Sequence, residues 1–290
     1  MEKMDRTDEQ LLETIADLHG IPEGSFNIRK NGKLLARNSD TDIEIVSKTD
    51  KDGIDIIVKP NVKNKSVHIP VLLTVGDFQD TVYNDFFIGE NSDVTIVAGC
   101  GIHNDTCGNA EHDGVHTFYV GKNAKVRYIE RHYANGSGTG KKVFDPVTKI
   151  CLKENSQFIL ESTQLGGVTY TDRKTYATVG KNAQLLVKEK ILTDGEEKAI
   201  TDFKVKLTGK NSRADIVSRS VAKGKSLQQF KSDMIGKNEC FGHVECDGIV
   251  LDGARIISTP KIDAVSPEAS LVHEAAVGKI AGEQLLKLMS

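Results

Sequence analysis

Six segments decide the fold: IGENSDVTIV (88–97), VGKNAKVRYI (120–129), LKENSQFILE (152–161), VGKNAQLLVK (179–188), TGKNSRADIV (208–217) and IGKNECFGHV (235–244). Their shared asparagines, Asn91, Asn123, Asn155, Asn182, Asn211 and Asn238, are separated by 32, 32, 27, 29 and 27 residues. Each segment opens on a turn, with Gly and Asn able to take φ > 0, and continues as a short alternating strand such as AKVRYIE or AQLLVKEK. One such unit cannot bury its apolar face alone. Stacked units share a continuous column of Val, Ile and Leu, so the repeat predicts an all-β core built as a parallel β-helix. A propeller blade would need about 40–50 residues per repeat, and the Leu lattice of leucine-rich repeats is missing. The competing architecture is a two-sheet antiparallel sandwich, because turn signals alone do not separate stacking from hairpins. Lys122, Lys125, Lys181 and Lys210 read as the solvated turns of the coils.

Outward from the repeats, the N-terminus reads as one helix. Thr7 and Gln10 stand at capping-box spacing, Leu11, Leu12, Ile15 and Leu18 make a stripe, and Gly20 follows as a C-cap. After Pro22 the period changes to two in TDIEIVSK (41–48) and GIDIIVKP (53–60). No other helical pattern occurs before VHEAAVGKIAGEQLLKLM near the C-terminus. The expected organisation is a helix with short strands over 1–65, a β-helix over 66–262 and a helical segment over 263–290.

Composition narrows the function. Lys and Arg number 38 against 41 Asp and Glu, a net −3, which lacks the basic footprint of a nucleic-acid binder. No apolar run is long enough to span a membrane, and the charged N-terminus has no signal-peptide core, so a cytoplasmic location is expected. Five cysteines is an odd number, as befits free, metal-bound or reactive thiols in a reducing compartment.

The densest chemical cluster is GCGIHNDTCGNAEHDGVHTF (99–118), with Cys100, His103, Cys107, His112 and His116. Thiolate and imidazole suit zinc or iron-sulfur chemistry. Against this, Cys100 can be a small core residue closing the strand VTIVAGC, and His116 shares its face with Phe118 and Val120. Cys246 shares a face with Val244 and reads as a core thiol, Cys240 lies in a turn, and Cys151 has no activating neighbour. Nucleophile-elbow, Walker and dinucleotide motifs are absent, so no enzyme activity is expected. A polysaccharide-cleaving β-helix could cast Asp80, Asp85, Arg173 and Lys174 as its catalytic groups, without any motif to support it.

The run IDAVSPEASLVHEAAVGKIAGEQLLKLMS, with His273-Glu274-Ala275, Gly278-Lys279-Ile280 and Glu283-Gln284-Leu285, resembles the closing motif of the SufB/SufD family of iron-sulfur cluster assembly proteins. VECDGIVLDGARIISTPKID looks like that family's last β-helix turns, and the resemblance covers about residues 65–290. It implies a right-handed β-helix, a transient iron-sulfur cluster or none in the isolated chain, a SufC-like ABC-type ATPase, and pairing as a homodimer or with a SufB/SufD paralogue. It also implies that ATPase-docking helices follow the Glu-Gln-Leu element, so that the sequence ends inside them. His273 and Glu274 match the family motif, and the resemblance implies a part in cluster assembly for the acidic position together with a cysteine of the final β-helix loop in the scaffold branch, but here the loop Leu251–Ile256 has no cysteine. The resemblance therefore implies either a SufD-like partner without a cluster or thiol ligands placed elsewhere, with Cys246 and the Cys100–His116 stretch as the candidates.

Overall fold

The computed structural model describes residues 4–279. Gly53–Val58 pairs antiparallel with Ile43–Ser47 on one side and parallel with Phe78–Ile88 on the other, and from there onward all pairing is parallel, between strands one coil apart, so the antiparallel sandwich is excluded. One sheet stacks Asp93–His103, Lys125–Asn135, Gln157–Gln164, Gln184–Thr193, Ser212–Ala222, Cys240–Val250 and Ala269–Gly278. The other stacks Phe78–Ile88, Ala110–Val120, a strand broken into Lys142–Phe144 and Val147–Leu152, then Tyr170–Val179, Lys198–Leu207, Leu227–Gly236 and Arg255–Ala264. Each repeat asparagine sits where the chain crosses from the second sheet to the first. The molecule is thus a parallel β-solenoid, as the repeat predicts.

The turns explain why asparagine recurs. Asn91, Asn123, Asn155, Asn182 and Asn211 all adopt φ between 54° and 60°. Asparagine tolerates the left-handed region better than other side-chain-bearing residues. Its amide then does a second job: each Nδ2 donates to the Oδ1 one coil back, at 3.0–3.2 Å, in an unbroken ladder from Asn211 to Asn61. Asn61 (φ 67°) belongs to this ladder, whereas Asn238 is not among the left-handed residues. Gly209 packs so tightly on the next turn that a Cβ would lie 2.0 Å from the Lys181 nitrogen.

Alternation along the strands sends one residue in two inside. The column Ile96, Tyr128, Leu160, Val187, Ile216, Val244 is in register across six coils. Phe86 and Phe118 stack beside it with centroids 4.2 Å apart. Burying each such side chain contributes about 1.5–3 kcal/mol.

The N-terminal helix runs Arg6–Ala16. Its cap is Asp5, not Thr7: Asp5 accepts from the Asp8 N–H at 2.9 Å while the Asp8 carboxylate accepts from the Asp5 N–H at 3.0 Å. It ends at Asp17 in the left-handed region, before Gly20. Leu11, Leu12 and Ile15 bury against the outer face of Asp93–His103, so that strand is buried on both sides. Gly99 permits this approach, since a Cβ there would lie 2.4 Å from the Ile15 carbonyl oxygen.

The C-terminal helical expectation is corrected over its first half. Ala269–Gly278 is a strand, paired residue for residue with Cys240–Val250, because an open sheet edge outweighs local helical periodicity. Glu274 is therefore not at a helix N-terminus. Residues 280–290, with Glu283, Gln284 and Leu285, lie outside the described residues. Among the described residues no helix is long and apolar enough to cross a membrane.

Candidate functional site

Between the apolar columns the solenoid interior carries a band of polar side chains. Strand alternation turns Glu130, His132, Ser162, Gln164, Arg173, Thr175, Glu189, Thr201 and Ser218 inward, all at most 3% exposed. The Arg173 guanidinium is the hub. It pairs with Glu130, donates from Nη2 to His132 Nδ1 at 2.8 Å, and lies 3.8 Å from Glu189. Glu189 also accepts from Thr201 at 3.0 Å and Ser218 at 2.7 Å.

The hydrogen bonds fix the histidine tautomers. His132 accepts at Nδ1 from arginine, so its proton is on Nε2. Tyr128 donates to Glu130 at 3.0 Å and must accept from His116 Nδ1, 2.6 Å away, leaving His116 Nε2 to accept from Asn84 at 3.1 Å. Both rings are accordingly neutral: burial pushes His116 down to about 4 and His132 to about 3. Burial would raise the Glu130 carboxyl, but Arg173 and the neighbouring imidazoles outweigh it and hold it at about 2. For Glu189 burial wins and the carboxyl is pushed up. A second buried group lies nearer the N-terminus, where Asp80 is 3.3 Å from Arg29 and 3.5 Å from His112.

This band was missed by a reading of contiguous motifs. Glu130, Arg173 and Glu189 are scattered over three coils, and the only available signal was a charged residue at an inward position of an otherwise alternating strand.

The 100–116 cluster divides. Cys100, His112 and His116 point inside and are buried, while Cys107 is exposed and His103 faces outward to Asn135 (2.7 Å) and Asp105 (2.9 Å). Among the described residues no three of these five bring ligand atoms within 4.8 Å of one another. Burial, with Glu130 nearby, raises the Cys100 thiol well above its ordinary value, so it stays protonated. The polysaccharide-enzyme quartet is likewise dispersed: Asp80 and Arg173 are inside, while Asp85 pairs with Lys48 (2.7 Å) and Lys174 with Asp172 (3.0 Å) outside. Glu111, Asp113 and Asp145 do converge, on the outer face of the second sheet.

The solenoid's last coil is the other notable place. Arg255–Ala264 and Ala269–Gly278 each pair on one side only among the described residues, so the interior opens to solvent there. The column that begins at Ile96 ends on His273, in register with Val244. Cys246 faces inward at the next inward position of the adjoining strand, in register with Ala275. The Nε2 of His273 is buried without a hydrogen-bond partner, and burial lowers the ring's proton affinity. Burial also raises the Cys246 thiol, against the pull of Ser258. Glu274 points outward, 3.9 Å from His243, whose other nitrogen meets Asp215 at 2.9 Å.

Comparison with known proteins agrees with this architecture. Residues 82–290 match the family model described as SUF system FeS cluster assembly, SufBD core domain. The chain is 31% identical over 263 residues to an iron-sulfur cluster assembly SufBD family protein of Archaeoglobus fulgidus, covering 89% of this chain and 69% of that protein. A SufBD family protein of Methanothermobacter thermautotrophicus is 32% identical over 227 residues, 74% of this chain and 53% of the relative. One from Methanocaldococcus jannaschii is 26% identical over 278 residues, with 94% and 86% covered. The chain thus spans about two thirds of the first relative and about half of the second. It belongs to the SufBD family of iron-sulfur cluster assembly proteins.

Proposed function

We propose that this chain scaffolds, or helps to transfer, a nascent iron-sulfur cluster, in the cytoplasm and together with an ABC-type ATPase. The cluster is cargo, held at the open last coil by Cys246 and His273. The observation that carries this reading is the pair itself: a thiol and an unpartnered imidazole nitrogen on one interior face of adjoining strands, at the end of the solenoid that solvent can reach. Mixed thiolate and imidazole ligation suits iron, and an incomplete ligand set lets cargo leave. Glu274, on the outer face of the same strand, stands where it can hold iron at the rim. A pair of such chains, identical or paralogous, would complete the ligand set by joining at the last coil, whose strand edges are unpaired among the described residues and whose inward Ile262 is 42% exposed. ATPase binding belongs, on the family resemblance alone, to the chain that follows Glu283-Gln284-Leu285.

The test is anaerobic reconstitution of the full chain with iron and sulfide, beside Cys246→Ser. Stoichiometric iron and a visible chromophore, both reduced at least severalfold in the variant, are expected. Colour that survives Cys246→Ser would overturn the ligand assignment. A second reading, a structural subunit with no cluster of its own, is favoured by one observation: Leu251–Ile256 has no cysteine. A colourless chain in the presence of its partners would establish it.

A further inference from the structure

The polar band inside the solenoid repeats itself in register as far as the last coil. Glu189, on the first sheet, accepts from Thr201, twelve residues later on the second, at 3.0 Å across the interior. Coil stacking carries both positions onward. Glu189 is in register with Ser218 and then Cys246, while Thr201 is in register with Phe230 and then Ser258. Cys246 and Ser258, again twelve residues apart, therefore stand to each other, two coils on, as the bonded Glu189 and Thr201 do.

The hydroxyl is close enough to favour the thiolate form of Cys246. It stops short of a full hydrogen bond: Ser258 Oγ is buried with no partner among the described residues. A buried hydroxyl left unpaired destabilises a fold. The coil does not require one here, since the same position one coil back is filled by Phe230, which is buried. An unpaired O–H opposite a sulfur gains most when that sulfur is ionised, because a hydrogen bond to a charged acceptor is about twice as strong as one to a neutral acceptor.

We propose that Ser258 is a positioning residue for the cargo: when Cys246 takes iron, the Ser258 Oγ–H donates to its sulfur. The thiol proton leaves to solvent at the open coil as the iron–sulfur bond forms, and the hydroxyl then meets the thiolate it faces. This rests on the reading of Cys246 as a ligand. A hydrogen bond of this kind draws charge off the sulfur, which stabilises the reduced cluster and raises its reduction potential.

The test compares the full parent chain with Ser258→Ala and Ser258→Thr, reconstituted anaerobically with iron and sulfide in D2O and reduced, with Cys246→Ser as the reference for the ligand. Ser258→Ala should keep its iron, lose one deuteron coupling that pulsed electron paramagnetic resonance detects in the parent, and show a lower reduction potential. Ser258→Thr, which keeps the hydroxyl, should restore both. Because the hydroxyl has no partner in the empty chain, Ser258→Ala should leave the urea midpoint of that chain unchanged or raise it. A lowered midpoint would assign the hydroxyl to the fold and overturn the proposal. Parent-like coupling and potential in Ser258→Ala, while Cys246→Ser loses its cluster, would overturn it and leave the ligand reading standing. A colourless parent, or colour that survives Cys246→Ser, would instead remove the ligand reading, and the proposal with it.

Discussion

At the scale of the residue, the buried charges matter most. Arg173 compensates Glu130 and lies beside Glu189, so Arg173→Met would strand two carboxylates in an apolar interior. A loss of about 3–5 kcal/mol is expected in urea unfolding. Arg173→Met combined with Glu130→Gln and Glu189→Gln should recover much of it, and an equally unstable triple variant would refute the assignment. Protonation gives a second prediction. An unfolded chain charges His116 and His132 near 6.5, while the folded chain keeps them neutral down to about 4 and about 3. Glu130 takes a proton near 4.5 when unfolded and only at about 2 when folded. In each case the unfolded state binds protons first as pH falls. Stability should therefore be full above about pH 7, start to decline below about 6.5 on account of the histidines, and fall further below about 4.5 as Glu130 titrates. A urea midpoint unchanged between pH 7 and pH 4 would contradict this network. None of it was legible as a motif, because the partners are brought together by coil stacking and lie 41 and 43 residues apart in the chain.

At the scale of the element, the turn asparagines can be tested in isolation. Asn155 both adopts a left-handed conformation and links two neighbouring amides. Asn155→Ala should cost about 2–3 kcal/mol, the sum of about 1–2 for the backbone and about 1 for the lost bonds. Asn155→Gly should cost less than Asn155→Ala, since glycine accepts the conformation. Equal losses, compared by thermal or urea unfolding, would mean that the backbone conformation contributes nothing. The repeat that reveals the fold is legible because one physical requirement, a left-handed residue that can bond its copy a coil away, recurs at every turn. Asn61 joins the same ladder although its turn, KPNV, shares only the asparagine with the IGKN-type turns. Asn238, whose turn IGKN keeps both residues, is not left-handed, and its Oδ1 instead accepts from the Glu239 N–H at 2.9 Å. The helix was recognised from its stripe, but its cap was misplaced by two residues, since Asp5 and Asp8 form the same reciprocal pair as a Ser/Thr box. The strand Ala269–Gly278 was read as helix because Ala and Glu favour helices locally, and only the waiting sheet edge decides otherwise.

At the scale of the whole molecule, the solenoid has two unlike ends. The N-terminal coils are covered by the helix Arg6–Ala16 and by the antiparallel pairs Ser25–Lys30 with Lys33–Asn38 and Ile43–Ser47 with Gly53–Val58. The last coil has no such cover among the described residues. Met234 is 1% exposed, while Ile262, in register with it one coil on, is 42% exposed. If two chains join there, Ile262→Lys should convert a dimer to a monomer in sedimentation without altering the inner coils. A monomeric parent chain, lacking any paralogue, would place the pairing with the paralogue instead. The family was legible in the sequence through His273-Glu274-Ala275. The geometry there was not: only the register of the last strand shows that His273 turns inward beside Cys246 while Glu274 turns out.

The most direct measurement is pulsed electron paramagnetic resonance on the anaerobically reconstituted and reduced full chain carrying 15N-histidine. A cluster held at the last coil should show one strongly coupled histidine nitrogen, absent in His273→Ala and retained in His112→Gln and His132→Gln. A cluster without histidine coupling, or one whose coupling survives His273→Ala, would contradict the placement of the cargo at the open end.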